Sequence, residues 1–358
     1  MIGFSWIFIQ THLWAASGEP FLRFRGKRTE LQLFWERGCM AYVESRLGLL
    51  TLSKALYDRY GRIQNRRYID SLMHRMKENT KRLINNLTWM DEQGKGVAFR
   101  KLDAMTHLIL PGEIYFSRKK LEQLYEVFPD MTGKTFMTNL VETTRLYRKL
   151  RKHEHFQDVY SVRAFPRFGR ELYLYLPNAL VLATGVLNPP LFYSNGTLAI
   201  KYGGMASLAA RQMAKSLDEV GVRVNDKGKS GIWLTPKAAA MHAEKASCDV
   251  HGSPINSSRR LLSVFPVIPG IEIAYQSYTA AVQVDYLTLD DYRVVHLESY
   301  SDEQVFFIAY CYALCAHGQK SMGDECNVPV KNMPQFAAAY RCPPGSPMNP
   351  PNKCTFFY

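Results

Sequence analysis

The stretch from Tyr202 to Thr235 constrains the fold of this chain more than any other part of the sequence. It opens with Gly203 and Gly204, a pair that predicts a turn. Apolar residues then recur at helical spacing to about Leu217. The glycine-containing segment that follows leads to Trp233, which we expect to be buried. The stretch therefore predicts a helix followed by a loop that returns to the core.

Three polar residues on this helix limit its chemistry. Arg211 and Lys215 are four residues apart and share a helix face, with Gln212 beside them. An H-E-x-x-H helix uses this spacing to hold Zn²⁺ between two histidines beside a glutamate base. Arg offers no lone pair, Lys must first lose its proton, and Gln is a very poor base. Each cation would repel a divalent ion ~5 Å away by about 5–7 kcal/mol at an effective dielectric constant near 20.

Short motifs in a fixed order along the chain resemble the neprilysin-type (gluzincin) metallopeptidases. They are similar to the family patterns L-x-W-M-D, L-Q-P-P, Y-G-G, A-Y-x-x-Y and M-N-P-x-x-x-C. The matching segments are Leu87–Asp91, Leu187–Pro190, Tyr202–Gly204, Ala274–Tyr278 and Met348–Cys354. The resemblance runs from about Trp35 to Tyr358. It implies a mostly helical α+β protein, the C-terminal region of the family, with a small sheet near residues 158–184 beside the degenerate zinc helix.

The resemblance implies that the family's zinc chemistry is lost. The positions of its three zinc ligands fall on Arg211, Lys215 and Ser263. The position of its catalytic base falls on Gln212. Zinc is the cofactor of the active family, but no cofactor is expected here, and we expect no peptidase activity.

Among the other functional positions of the family, one is retained in this chain, and the rest are replaced or have no clear match. The first acid after the zinc helix is retained as Asp218, which we expect to be a hydrogen-bond acceptor at the helix end. The aspartate that orients a histidine is replaced by Val267. The strand that binds the substrate backbone falls on Arg170, Glu171 and Leu172. The family's late histidine and arginine have no clear match between residues 321 and 331.

Three functions remain open. The first is a non-catalytic neprilysin-family homologue (a pseudopeptidase) that binds a peptide or an extracellular protein. The second is a zinc endopeptidase with atypical ligands, such as Asp218 and a histidine from elsewhere. The third is a basic protein that binds an acidic glycan, because the net charge is +13. Nucleic acid is not predicted, because the basic run at residues 145–152 has no interleaved aromatic residues.

Seven cysteines cannot all pair within one chain. The resemblance implies a disulfide between Cys248 and Cys354. It also implies partners upstream of this chain for three cysteines: Cys39, Cys315 and Cys342. Two others match no family cysteine: Cys311 and Cys326.

The family is extracellular, so we expect this chain to be extracellular or membrane-associated. Three N-x-S/T triplets are compatible with that expectation and are candidate glycosylation sites: Asn86, Asn195 and Asn256. The first 18 residues resemble a signal peptide, but they lack a basic n-region and their apolar run is short. We favour a Met1 that lies inside the family's helical body, because the resemblance continues upstream of Trp35 with no sign of a domain start. No apolar run approaches the ~20 residues that span a bilayer, so we expect no membrane anchor in this chain.

With 358 residues, 47% of them hydrophobic, the chain is long enough and apolar enough for one large domain or two smaller ones. We predict a helical region over residues 1–156, resembling the family's second lobe and linker. We predict a peptidase-like domain over residues 157–358. The main predicted helices are Tyr68–Leu87, Val97–Leu108, Leu121–Phe128, Thr135–Phe156, Lys237–Ala246, Ile271–Val284 and Glu303–Ala316.

Overall fold

A computed structural model describes residues 63–109, 117–130, 135–154, 171–182, 184–248, 264–285, 293–314 and 321–358, with the single residues 43, 133 and 156. The chain divides into two compact units, residues 1–62 with 111–165, and residues 63–110 with 166–358. The described part is mostly helical with one small sheet, so the predicted fold class is confirmed. The sequence-based division at residues 156 and 157 stays a prediction.

The first unit contains two described helices, α3 (Arg118–Tyr125) and α4 (Phe136–Leu150). Ser117 and Thr135 cap their first turns through side-chain oxygens that accept backbone N–H groups. An apolar cluster is built around Leu124, Leu150 and Phe156. The predicted helices in this part of the chain thus exist, but α4 ends at Leu150 rather than at Phe156.

The second unit begins with α1 (Ile63–Asn85) and α2 (Glu92–Ala104). Asp91 caps α2 by accepting the Gly94 amide, and it also bonds the Thr235 hydroxyl. Thr235 in turn caps α7 (Pro236–Ala246) by accepting the Ala238 amide. One carboxylate therefore links the starts of two helices that are distant in sequence.

The sheet has the strand order β1 (Thr106–Leu108), β3 (Ala179–Val181), β2 (Leu172–Leu174), with β1 parallel and β2 antiparallel to β3. The predicted helix through Leu108 is therefore wrong over its last residues. The helix ends at Ala104 because Met105 is extended and the next amide donates to the Asn178 carbonyl. The pairing partner lies about seventy residues away in the sequence, where helical periodicity gives no warning of it.

The predicted Gly-Gly turn is also wrong, because the two glycines lie inside a helix. We call the run from residue 198 to 217 the central helix. It consists of α5 (Leu198–Lys201), a π-helical turn (Tyr202–Ala206), α6 (Ser207–Ala214) and a 3₁₀ turn (Lys215–Leu217). A Cβ on Gly203 would lie 2.3 Å from the Phe306 carbonyl oxygen, and one on Gly204 would lie 2.3 Å from the Leu191 carbonyl oxygen. Glycine is needed there for close packing rather than for a turn.

Four further helices complete the second unit: α8 (Val267–Asp285), α9 (Asp302–Leu314), α10 (Ser321–Lys331) and α11 (Pro334–Ala339). Helix α8 packs along α6, and α9 packs against the π-helical turn. Helix α10 was not predicted, and it includes Pro329. Trp233 is buried and donates its indole N–H to the Gly221 carbonyl at 3.1 Å. No helix within the described ranges has the length and apolar character that crossing a bilayer requires.

Candidate functional site

The central helix carries the residues that the sequence singled out. Arg211 and Gln212 lie in α6, and Lys215 begins the 3₁₀ turn that follows. Helix α8 approaches so closely that a Cβ on Gly270 would lie 2.9 Å from the Arg211 Cα. The backbone at Arg211 is thus fixed by a packed neighbour, which restricts where its side chain can point.

Arg211 forms an ion pair with a carboxylate that sequence reasoning missed. Its Nη2 donates to Oε2 of Glu325 at 3.0 Å, and the two side chains are 11% and 28% exposed. Burial lowers the pKa of Arg211, but Tyr310, Glu171 and Glu325 raise it more, so the net direction is upward. Arg211 is therefore a permanent cation that lies against a carboxylate.

Gln212, at the position of the family's base, bonds a second carboxylate. Its Nε2 donates to Oε2 of Glu171 at 3.2 Å. Gln212 is only 2% exposed, and its Oε1 finds no hydrogen-bond partner among the described residues. Burial raises the pKa of Glu171, while Arg211 and Lys215 act in the opposite direction. The amide of Gln212 therefore bonds a partly buried carboxyl group rather than a water molecule that is to be activated.

Lys215 and Asp218 lie at the C-terminal end of the central helix. Burial lowers the pKa of Lys215, with Asp218 and Glu171 acting against that shift. Asp218 Oδ1 accepts the amides of Val220 at 3.0 Å and Gly221 at 2.7 Å, and Oδ2 accepts the Tyr175 hydroxyl at 2.6 Å. The oxygens of Asp218 are thus engaged at the end of the central helix.

A fully buried lysine supports the loop after the central helix. Lys101 Nζ donates to the carbonyls of Gly221 and Val224, the latter at 2.7 Å, and lies 6.0 Å from the centre of the Trp233 ring. Burial lowers its pKa to about 8, partly opposed by Asp218 and Asp226. One feature of the sequence indicates that Lys101 is buried: it lies three residues after Ala98, on the apolar face of α2.

The arrangement does not fit Zn²⁺, as judged from its donors. Arg211 and Lys215 present cationic nitrogens, and Gln212 presents an amide whose nitrogen is bonded to Glu171. Zinc sites use thiolate, imidazole and carboxylate donors with free lone pairs. No three His, Cys, Asp or Glu side chains in the described ranges group closely enough to hold a metal ion.

Several residues named from the sequence lie outside the described residues, among them Ser263, which is the third ligand position, and Arg170, Asn256, Cys39 and Cys315. Val267 is buried at the start of α8. Asn86, just after α1, and Asn195, just before α5, are both exposed, so neither glycosylation candidate is blocked by burial.

Two disulfides are present in the described part of the chain. Cys248 bonds Cys354, the pair that the family resemblance implies. Cys311 bonds Cys326, which joins α9 to α10 and which the sequence did not predict. Cys342 is bonded to no other described cysteine.

Comparison with family models and relatives gives a consistent result. Two models of peptidase family M13 match residues 11–110 and 267–356, together more than half of the chain. Neprilysin-1 of Trittame loki is 21% identical over 348 residues, which cover 89% of this chain and 48% of that protein. Neprilysin of Oryctolagus cuniculus is 23% identical over 394 residues, which cover 98% of this chain and 50% of that protein. The chain thus spans about half the length of these relatives.

Solved structures share the fold at low sequence identity. The Mycobacterium tuberculosis zinc metalloprotease ZMP1 in its open state has a TM-score of 0.64 at 16% identity, over 88% of this chain and 51% of that one. A Haemonchus galactose-containing glycoprotein complex has a TM-score of 0.63 at 19% identity, over 82% of this chain and 49% of that one. At such identities the likeness shows the fold alone.

Proposed function

The chain belongs to peptidase family M13, and from this premise we propose that it binds a peptide or an extracellular protein without hydrolysing peptides. The family resemblance read from the sequence is thereby confirmed. The observation that carries the proposal is the ion pair between Arg211 and Glu325, at the position of a family zinc ligand. A guanidinium that is held by a carboxylate leaves neither a lone pair nor space for a divalent cation.

The missing base supports the same proposal. Hydrolysis in this family type needs a metal that lowers the pKa of water and a carboxylate that takes the proton. Gln212 cannot accept that proton. Glu171 is a carboxyl group, but it is partly buried and bonded to the Gln212 amide. Without a Lewis acid beside it, water keeps a pKa far above neutrality, and Glu171 alone is too weak a base to deprotonate it.

An unpaired strand edge supports peptide binding. Strand β2 is the outer strand of the sheet, and its far edge has no partner among the described strands. Extended peptides bind such edges through main-chain hydrogen bonds. Glu171, directly before β2, accepts a hydrogen bond from Gln212, so this edge begins beside Gln212 on the central helix. A peptide bound along β2 would pass Gln212 without meeting an activated water molecule.

The two alternatives stay predictions. A zinc endopeptidase that uses Asp218 gains no support from the described contacts, because Asp218 is engaged by two amides and the Tyr175 hydroxyl. His242, in the nearby α7, has its Nε2 2.7 Å from the Leu217 carbonyl. The acidic-glycan alternative depends on the charge of the whole molecule, which is +13.

A zinc and peptidase assay of the purified chain tests the proposal. We expect no stoichiometric zinc by elemental analysis, and retention of a fluorescent peptide without chelator-sensitive cleavage. Stoichiometric zinc together with chelator-sensitive cleavage would instead establish the enzyme alternative. A chain that neither cleaves nor retains peptides or extracellular proteins would contradict the binding part.

A restored variant serves as the positive control. The changes Arg211→His, Gln212→Glu, Lys215→His and Ser263→Glu rebuild the family's ligand set and base, and should create zinc affinity. The matched control keeps Arg211 and carries the other three changes, and we expect it to bind zinc far more weakly. A folded fourfold variant without zinc affinity would show that these positions do not match the family's ligands.

A further inference from the structure

Helices α9 and α10 each contribute a site residue followed directly by a bonded cysteine. Helix α9 carries Tyr310 and then Cys311, and α10 carries Glu325 and then Cys326. Glu325 pairs with the Arg211 guanidinium at 3.0 Å, and Tyr310 and Glu325 both act to raise the pKa of Arg211. The disulfide between Cys311 and Cys326 therefore joins the two helix positions that directly follow Tyr310 and the ion-paired Glu325.

Helix α9 is firmly attached to the central helix. The Phe306 carbonyl approaches Gly203 so closely that even a methyl group would lie 2.3 Å from it. Phe306 itself is fully buried and stacks with Tyr278 of α8 at 5.3 Å between ring centres. Cys311, near the end of α9, is thus a fixed point relative to Arg211.

Described contacts attach α10 at two places. In its C-terminal half, Val328 packs in an apolar cluster with Val267 and Cys354. Asn332, just after the helix, donates to the Val328 carbonyl and accepts the Cys354 amide, both at 2.8 Å. Closer to its N-terminus, the Cys326 disulfide joins α10 to α9, and the Glu325 ion pair joins it to the central helix.

We infer that the Cys311–Cys326 disulfide is a redox-sensitive latch that holds Glu325 against Arg211. An external dithiol would reduce it by thiol–disulfide exchange: the dithiol gives up two electrons and two protons and forms its own disulfide, and the S–S bond becomes two thiols. The N-terminal half of α10 then separates from α9, and Glu325 leaves Arg211. The site changes from a neutralised ion pair to an exposed cation that is able to bind a carboxylate.

Both disulfides have an accessible cysteine. Cys311 and Cys326 are both partly exposed, and in the other disulfide Cys248 is exposed while Cys354 is only 4% exposed. Thiol–disulfide exchange requires the attacking thiolate to reach a sulfur atom, so a dithiol can reach both bonds. The variant with Cys248→Ser and Cys354→Ser therefore separates the effect of the latch from that of the second disulfide. The inference concerns the charge state of the site and does not depend on the ligand proposed above.

Two measurements on the full chain test the latch. Hydrogen exchange followed by mass spectrometry should show faster exchange over residues 321–327 after mild reduction, while residues 328–331 keep their protection. Phenylglyoxal, which modifies free guanidinium groups, should react several-fold faster with Arg211. Arg223, which is 58% exposed, serves as the internal control and should react at an unchanged rate.

Variants separate the latch from general unfolding. The double change Cys311→Ser and Cys326→Ser should reproduce the reduced protein, and Glu325→Gln should raise Arg211 reactivity without any reduction. Adding the cysteine changes to Glu325→Gln should give little further increase. The changes Cys248→Ser and Cys354→Ser should leave Arg211 reactivity unchanged. Unchanged exchange at residues 321–327 and unchanged Arg211 reactivity after reduction would overturn the inference, as would loss of protection throughout α8 and α9.

Discussion

A guanidinium and a zinc ion need different chemical groups around them. Zinc needs groups that give it lone pairs, whereas Arg211 needs acceptors for its N–H groups. Glu325 is such an acceptor, and removing either partner of this partly buried ion pair destabilises the protein. Removing one partner of a buried pair costs about 3–5 kcal/mol, and the cost is lower here because Glu325 keeps some contact with water. A single substitution at Arg211 or Glu325 should therefore destabilise the protein.

The buried Lys101 predicts a pH dependence of stability. Its pKa is about 8 in the folded chain and 10.5 when exposed, so the unfolded chain binds more protons between these values. The free energy of unfolding should therefore rise from about pH 8 to 10.5. The contribution of this one group is about 3 kcal/mol. Urea denaturation of the wild type and Lys101→Met at several pH values checks it.

The control for this measurement is an exposed lysine. Lys119→Met removes a side chain in α3 that lies in water and should keep the full pH dependence of the wild type. Lys101→Met should lose the rise, although it is less stable overall because two carbonyls lose their donor. An equal slope in Lys101→Met and Lys119→Met would contradict the prediction.

For individual residues, the sequence predicts which positions form the site better than it predicts their hydrogen-bonding partners. Arg211, Gln212 and Lys215 were found because helical spacing and the family motif both point to them. Glu171 and Glu325 come from segments 41 and 114 residues away from their partners, and no periodicity connects them. Ion pairs of this kind depend on tertiary packing, which a single sequence does not display.

Among the elements, the π-helical turn shows what the Y-G-G motif does. Gly203 lets α9 approach the central helix, and Gly204 lets the Leu191 carbonyl approach and accept the Met205 amide at 2.8 Å. Gly204 has a ψ of −108°, outside the helical range. A π-helical turn inserts one extra residue, and such turns are frequent at functional sites. The motif therefore joins three elements at the base of the site.

Gly203→Ala should destabilise the protein strongly. Its Cβ would lie 2.3 Å from the Phe306 carbonyl oxygen, and a backbone atom cannot move aside as a flexible side chain does. We expect a loss of about 1–3 kcal/mol, at the upper end of the range for overpacked cores. Gly185→Ala is the matched control, because nothing lies within 4 Å of the place that its Cβ would occupy and its backbone is helical. Thermal unfolding that ranks the two variants equally would refute this explanation.

The errors in secondary structure have a common cause. Apolar spacing predicts a helix that continues to Leu108, which the structure places in strand β1. The three-residue strand β1 exists only because β3 lies beside it. Helix α10 was missed because Gly323 and Pro329 weaken its helical signal. Elements that depend on tertiary partners are the ones that local periodicity cannot predict.

For the whole molecule, the net charge of +13 is large, and whether it indicates glycan binding depends on where the cations lie. Five cations at the end of α4 and just beyond it are all exposed: Arg145, Arg148, Lys149, Arg151 and Lys152. We expect them to form a solvated face, so heparin and a sulfonate cation exchanger should release the protein at similar salt concentrations. Charge removal at Arg148 and Arg151 should shift both elutions equally. Later elution from heparin that these changes abolish would favour the acidic-glycan alternative.

The fold of the whole chain was predictable only through the family resemblance. Composition and length allowed one domain or two, and helical periodicity gave most of the helices without their arrangement. The order of the short motifs supplied the arrangement, and the solved structures agree with it. The two compact units alternate along the chain, which no local signal in the sequence indicates.

The bond between Cys248 and Cys354 has a consequence for a protein that meets proteases. It joins positions 106 residues apart, and the peptide between them includes α8, α9 and α10. A single proteolytic nick anywhere in that interval would leave both fragments covalently tethered. Arg211 lies on the N-terminal fragment and, after a nick before α10, Glu325 lies on the other. In denaturing gel electrophoresis the nicked molecule would migrate as one band until the disulfide is reduced. Until then Arg211 and Glu325 would remain in one covalently linked molecule.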